Sequence, residues 1–419
     1  MRGINQNKIV VNEKVQPELS LPLSRGDMWE MLQEGLKEFA LEAGLTLARQ
    51  VIEEEVQQLA GSKGSRGAAA YRHGSQRGFM VMAGQKFPLE RPRVRSRDGA
   101  EEVPLKSYEN LRHAGAMPKA VLKKMALSVS SRDYEQAIEL GRQGFGVKRS
   151  SVSRAFVVAA SKALEELRGR RFDGVRFVAI LLDGKQFAGE QIVAALGIKE
   201  TGEKTLLGVI QGTTENAVVV GDLLSDLEER GFSREHPILA VVDGSKALTK
   251  GLKNFFGDNL FLQRCQLHKM RNVESYLSKD HWRSIKSKLQ EAYRQNHEEQ
   301  VRERLLKIRK ELELMNPDAA RSLDEGLEET LTVYKLGLSG ELKRSLSSTN
   351  LIESAFSVTE DFCSNVKRWR GGDMRLRWCA SGLLQAETKF RKIRGYSELP
   401  KLLSALDRAA GVDQKREAA

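Results

Sequence analysis

The chain has 419 residues, 40% of them hydrophobic and 30% charged, which exceeds what one hydrophobic core usually supports and calls for two or three folding units. With 68 Lys and Arg against 56 Asp and Glu the formal charge is +12, a balance that favours a polyanionic partner, nucleic acid first, although charge alone also fits a merely basic housekeeping protein. Three cysteines, Cys265, Cys363 and Cys379, make no even disulfide framework and suit a reducing, cytoplasmic compartment. The N-terminus lacks the apolar run of a signal peptide and no later run approaches about eighteen apolar residues, so neither secretion nor a membrane span is expected.

In chain order, residues 27–60 carry Met28, Met31, Leu32, Phe39 and Ile52 in a helical rhythm broken around Gly44, which predicts a helical pair. Residues 61–100 are rich in Gly, Arg and Ser and include the run Arg91 to Arg97, a pattern for a solvated loop or a β-ribbon. Next, Ser131–Leu140, a glycine-bearing turn and Lys148-Arg-Ser-Ser-Val-Ser-Arg154 have the layout of a helix-turn-helix, and an ordinary αα-hairpin reads the same way. As a DNA reader, that element would present Lys148, Arg149, Ser150, Ser151, Ser153 and Arg154. Lys148 and Arg149 also suit phosphates.

The pattern changes at Val175. Val175–Leu182, Gln191–Ile198 and Thr205–Ile210 read as consecutive strands, followed by a helix near 215–230, a strand at Pro237–Val242, a helix near Lys246–Phe256 and a strand at Leu260–Cys265. The order β-β-β-α-β-α-β implies a mixed sheet with helices packed on it, the layer order of RNase H-like domains. From 270 to 345 Trp282, Ile285, Leu289, Tyr293, Val301, Leu305, Ile308 and Leu312 recur at helical spacing among dense charges, which predicts an all-α block. The expected division is a mainly helical DNA-binding region (1–125), the helix-turn-helix (126–170), the first part of an α/β core (171–270), an all-α insertion (271–345), the end of the core (346–400) and a C-terminal tail (401–419).

Asp183 and Asp243 each end a strongly apolar strand and each precede a glycine. Either Asp-Gly alone suits a turn. Together, two carboxylates past the carboxyl ends of strands in an open sheet line the crevice where ligands bind and offer oxygens suited to Mg²⁺. Glu353, at the start of a predicted helix and on one face with Asn350, is the third candidate; a capping role would also explain a Glu there. Two hard cations held by such a set serve in-line phosphoryl transfer.

Leu181-Leu-Asp-Gly-Lys185, Val241-Val-Asp-Gly-Ser245, Arg264-Cys-Gln-Leu-His-Lys269 and Thr349-Asn-Leu-Ile-Glu353 together resemble the bacterial Mutator-type insertion-sequence transposases. The resemblance implies an RNase H-like core with the catalytic triad Asp183, Asp243 and Glu353, here at spacings of 60 and 110 residues. It also implies Mg²⁺ with Mn²⁺ as substitute, binding of terminal inverted repeats and target DNA, strand cleavage and strand transfer, and a homodimer that holds two element ends. His268 is implied to belong to the active-site neighbourhood, with Cys265 packing beside it; a satisfied core histidine and half of a zinc site are the other readings of Cys-x-x-His.

One departure stands out: Glu360 and Asp361 occupy the region where such enzymes commonly place a cation, and Lys367 and Arg368 are the candidates to replace it. Trp369 and Trp378 flank a basic, glycine-bearing stretch and suit either core packing or stacking on an unpaired base. Two further functional classes fit these residues: a catalytically silent DNA-binding protein of the same fold, and a nuclease that does not join strands.

Overall fold

The computed structural model describes residues 25–64, 70–82, 85–98, 101–112, 149–187, 189–212, 216–364, 366, 368–369 and 371–411, with side chains from residue 41 onward except at a few positions. The first helix and turn of the expected helix-turn-helix, Lys148, Lys367, and the side chains of Arg149, Ser150 and Ser151 lie outside the described residues. The chain divides into two compact units.

The first unit holds α1 (Arg25–Ala60), β1 (Ala70–Met82), β2 (Gln85–Ser96), β3 (Glu102–Val103) and α2 (Lys106–Arg112), with the strands in one antiparallel sheet. Leu45, Ala48, Ile52 and Val56 recur three or four residues apart and bury one face of α1 against Phe87, Leu89 and Val94. The break expected at Gly44 does not occur, and α1 runs through it as one helix. Gly44 instead lies under the end of the Met82 side chain, whose sulfur would be 2.8 Å from a Cβ there. The helix stops at Gly61, whose φ of 79° is the left-handed conformation glycine adopts at a C-terminal cap.

The arginine-rich stretch is the β-ribbon rather than the loop. Part of its charge is countered within the unit: Arg93 reaches Glu102 at 2.8 Å and Arg72 reaches Glu53 at 2.8 Å.

The second unit begins with α3 (Arg149–Arg168) and continues with β4 (Phe177–Phe187), β5 (Glu190–Lys199), β6 (Lys204–Gly212), α4 (Ala217–Glu229), β7 (Ile238–Val242), α5 (Lys246–Phe256) and β8 (Leu260–Arg264). The strand order is β6-β5-β4-β7-β8, with β6, β5 and β4 antiparallel and β4, β7 and β8 parallel. The mixed α/β character expected from the sequence is therefore present. Alternation along β4 and β7 sends Ile180, Leu182, Ala240 and Val242 to a core shared with α4 and α5. Ala179, Leu181, Leu239 and Val241 go to the opposite face, with Phe156 and Leu164 of α3.

Between β8 and the last part of the sheet's covering layer runs a helical excursion. It comprises α6 (Gln266–Glu274), α7 (Lys279–Arg294), α8 (Glu298–Met315), α9 (Pro317–Asp324), a short 3₁₀ turn, α10 (Thr332–Lys335) and α11 (Gly340–Leu346). Ile285, Leu289 and Ala292 meet Val301, Leu305 and Leu312 in its core, the residues whose spacing predicts helices. Its return is stapled to β8. Gln263 and Gln266 both donate to the Thr330 carbonyl at 3.1 and 3.0 Å, and buried Lys269 donates to the Ser322 and Glu325 carbonyls. Burial and the nearby Arg264 charge lower the Lys269 ammonium to about 8.

The chain ends in α12 (Asn350–Cys363), α13 (Met374–Glu387) and α14 (Leu399–Ala409). Helix α13 crosses α12 where Gly382 meets Thr359: a Cβ at 382 would lie 2.9 Å from the Thr359 Cα. Gly382→Val should lower the midpoint of urea unfolding by the equivalent of about 1–3 kcal/mol, the usual cost of overpacking. An unchanged midpoint would mean that the two helices are free to separate.

Candidate active site

Parallel pairing of β4 with β7 aligns Ala179 with Leu239, Ile180 with Ala240 and Leu181 with Val241. Asp183 and Asp243 each follow two residues after the last of these pairs. Asp183 continues the odd-numbered series of β4, which faces the side of the sheet covered by α3, α12 and α13. The junction of β4 and β7 is also where the antiparallel half of the sheet meets the parallel half, the kind of position where open sheets bind ligands.

The two Asp-Gly pairs behave differently. Asp183 is 6% exposed and remains in the ladder, with Gly184 paired to Val193, so the turn reading fails there. Asp243 does begin a turn: its Oδ1 accepts from the Ser245 amide at 2.8 Å, and Ser245 then caps α5 by accepting from Leu248. Gly244 has φ 104°, and the Arg264 guanidinium occupies the space a Cβ would need. The turn aims the start of α5 without consuming both oxygens of Asp243.

Glu353 comes from α12, far along the chain. Cys265 ends β8 and caps α6, its sulfur accepting from the His268 amide. The same sulfur accepts from the amide of Thr349 at 3.4 Å across a separation of 84 residues, with the Thr349 hydroxyl also 3.4 Å away. The Gln266 amide donates to the Ser347 carbonyl beside it at 3.0 Å. Thr349 is the N-cap of α12, and its hydroxyl donates to Glu353 Oε1 at 2.6 Å while lying 3.3 Å from His268 Nδ1. Glu353 therefore does not close a capping box. Its carboxylate is held by a side-chain hydroxyl, with Arg271 at 3.6 Å from the other oxygen.

Among the described residues, Cys265, His268 and Glu353 form the group whose possible ligand atoms all lie within 4.8 Å of one another. Asp183 and Asp243 are not part of it, so the three carboxylates are not gathered into mutual contact. His281, the nearby histidine weighed as a zinc ligand, is also outside the group. The Cys265 thiol beside the ring, together with the Glu353 and Asp243 carboxylates, holds the His268 imidazole above its ordinary pKa against the opposing effect of burial. Burial alone would raise the Cys265 thiol, but hydrogen bonds from His268 and Thr349 outweigh it and lower its pKa.

The remaining candidates fall around this centre. Asn350 is exposed on the first turn of α12. Ser153 and Arg154 are exposed on α3, and Arg368 is exposed beyond α12. Trp369 is half-buried and packs edge-on against Phe187 and Trp378, with centroids 5.1 and 6.1 Å away. Glu360 is countered by Lys185, whose ammonium lies 2.8 Å from its carboxylate.

Lys185, Arg271 and Thr349 carry contacts the sequence reading did not assign. The signals were present: Lys185 lies two residues beyond Asp183 on a strand, and Arg271 one helical turn beyond His268.

Residues 23–358 match the transposase family described as Mutator, and the chain belongs to that family. It is 27% identical over 238 residues to the transposase for insertion sequence element IS6120 of Mycolicibacterium smegmatis, covering 55% of this chain and 72% of that protein. It is 23% identical over 292 residues to the transposase for IS256 in transposon Tn4001 of Staphylococcus aureus, covering 66% and 71%. The ISRM5 transposase of Rhizobium meliloti is 23% identical over 323 residues, covering 74% and 77%. No helix among the described residues is long and apolar enough to cross a membrane.

Since the folded state raises the His268 pKa, its stabilising contribution is complete below the ordinary imidazole value and is lost as pH rises through the folded one. In urea unfolding, the stability gap between wild type and His268→Gln should thus be larger at about pH 5.5 than at about pH 8.5. A gap independent of pH would show that the imidazole gains nothing from its neighbours.

Proposed function

We propose that this protein is the DDE transposase of an insertion sequence, with an RNase H-like core whose triad is Asp183, Asp243 and Glu353. The observation that carries the reading is the parallel pairing of β4 with β7, which sets Leu181 beside Val241, each two residues before an aspartate. The strand order and the delivery of Glu353 by a helix tied to β8 support it. All three candidate ligands are carboxylates, a hard oxygen set that fits Mg²⁺ or Mn²⁺, whereas the one nearby thiol is occupied by hydrogen bonds. When bound by these residues, the cations would activate a water or a DNA 3′-hydroxyl and stabilise the leaving oxygen of an in-line displacement.

The chain's own groups prepare that chemistry. The Thr349 hydroxyl fixes one Glu353 oxygen, leaving the other toward Arg271. Ser245 does the same for Asp243 through its amide. Arg271, half exposed, offers donors to a DNA phosphate that no carboxylate could. Exposed Ser153 and Arg154, with Lys148, Arg149, Ser150 and Ser151 before them, would contact the terminal inverted repeats, and Arg368 with Lys367 would contact the backbone near the site. A homodimer would hold two element ends together. Glu360, one of the two acids that motivated a catalytically silent reading, is engaged by Lys185, which weakens that motive.

DNA carrying the gene's native flanks should be cut by the wild type in Mg²⁺ to give 3′-hydroxyl ends and joined products, and Asp183→Asn should abolish both by at least ~100-fold. Cleavage without joined products would make the protein a nuclease; binding without cleavage by either form would make it a DNA-binding protein.

A further inference from the structure

Beside the first turn of α12 lies a cleft of about 410 Å³, outside the carboxylate site. It is bounded by the start of α6, the end of α7 and the 340–350 segment. Its volume falls in the range of small-ligand sites, about 300–1,000 Å³.

The lining is of two kinds. Leu267, Met270 and Tyr293 form an apolar wall, and the exposed guanidinium groups of Arg294 and Arg344 stand at the rim. Arg344 is paired only with Glu341 across solvent, a contact of little strength, and Arg294 has no acidic partner among the described residues. Lys343 is no free cation, because its ammonium is tied to the Arg294 and Gln295 carbonyls and to Asn296.

Ser348 adds a separate observation. It is 5% exposed and lines the cleft. Its hydroxyl can both donate to and accept from a polar group bound there. A phosphate alone would not need the apolar wall, and an apolar ligand would not need the arginines.

We propose that the cleft receives one nucleotide of the DNA substrate, turned out of its helix. The base lies against Leu267, Met270 and Tyr293, its polar edge meets Ser348, and its phosphate is held by Arg294 and Arg344. Asn350, at the end of the cleft and one helical turn before Glu353, places that nucleotide next to the reacting phosphodiester. The inference rests on the transposase reading, since it takes DNA as the substrate. Extruding a nucleotide costs stacking energy, least at an end that is already cut.

2-Aminopurine, placed in turn at each position near the element ends of native-flank DNA, fluoresces more strongly when unstacked. The wild type should produce a several-fold rise at one position, and Arg294→Gln/Arg344→Gln should lose most of it while keeping the wild-type circular dichroism and unfolding midpoint. A bound but uniformly dim series overturns the proposal, as does a rise that the double variant retains. The two readings fail separately. A localised rise in a protein that cannot cut strikes the catalytic reading alone, no rise in a protein that cuts and joins strikes the nucleotide cleft alone, and no binding to the flanks strikes both.

Discussion

The candidate site depends on one joint, the meeting of Cys265 and Thr349. These residues are 84 positions apart, yet the Cys265 sulfur accepts from the Thr349 amide and touches its hydroxyl. That contact fixes the first turn of α12, and Glu353 with it, at the end of β8, while Ile352 and Phe356 pack the helix on the sheet. The intervening helices can be long at modest cost, because loop-closure entropy grows by only about 0.6 kcal/mol per doubling of length. Closure must still be made specific. Gln263, Gln266 and Lys269 do so by seizing carbonyls at Ser322, Glu325 and Thr330, just before the chain returns to the sheet.

Lys269 shows how much this closure is worth to the fold. An ammonium with no exposed surface is expensive to bury, and its lowered pKa reflects that cost. Lys269 joins the Ser322 carbonyl to the Glu325 carbonyl, which Arg264 of β8 also reaches at 2.9 Å, so the expense is tied to a geometry that an apolar side chain could not impose.

Electrostatically, the centre is a set of acids held apart by hydroxyls and bases. Thr349 and Arg271 hold Glu353, Ser245 holds Asp243, and Lys185 engages Glu360. His268 senses both Glu353 and Asp243, which links the strand-borne and helix-borne carboxylates through one imidazole. Carboxylates arranged in this way are oriented in the absence of substrate, which limits the reorganisation required when a phosphodiester arrives.

Much of this architecture was legible in the amino acids. Apolar runs of β-branched residues mark β4 to β8, and three- and four-residue spacing marks α7 and α8, because burial of one face imposes a period on the sequence. Asp183 and Asp243 stood out because acids at the ends of apolar strands are unusual, and Glu353 as a third carboxylate at a helix start within a motif that resembles the family's. Gly44 misled for a physical reason: a missing side chain signals a break from sequence alone, but here it makes room for Met82. The same blindness to partners made Glu360 look like an uncompensated charge, since nothing along the chain connects it with Lys185. The sequence by itself determined which elements form and which residues are chemically equipped. Only the tertiary structure decided the joint of Cys265 with Thr349, the parallel pairing of β4 with β7 and the cleft beside Asn350, because each is a contact between segments whose separation leaves no periodic trace in the sequence.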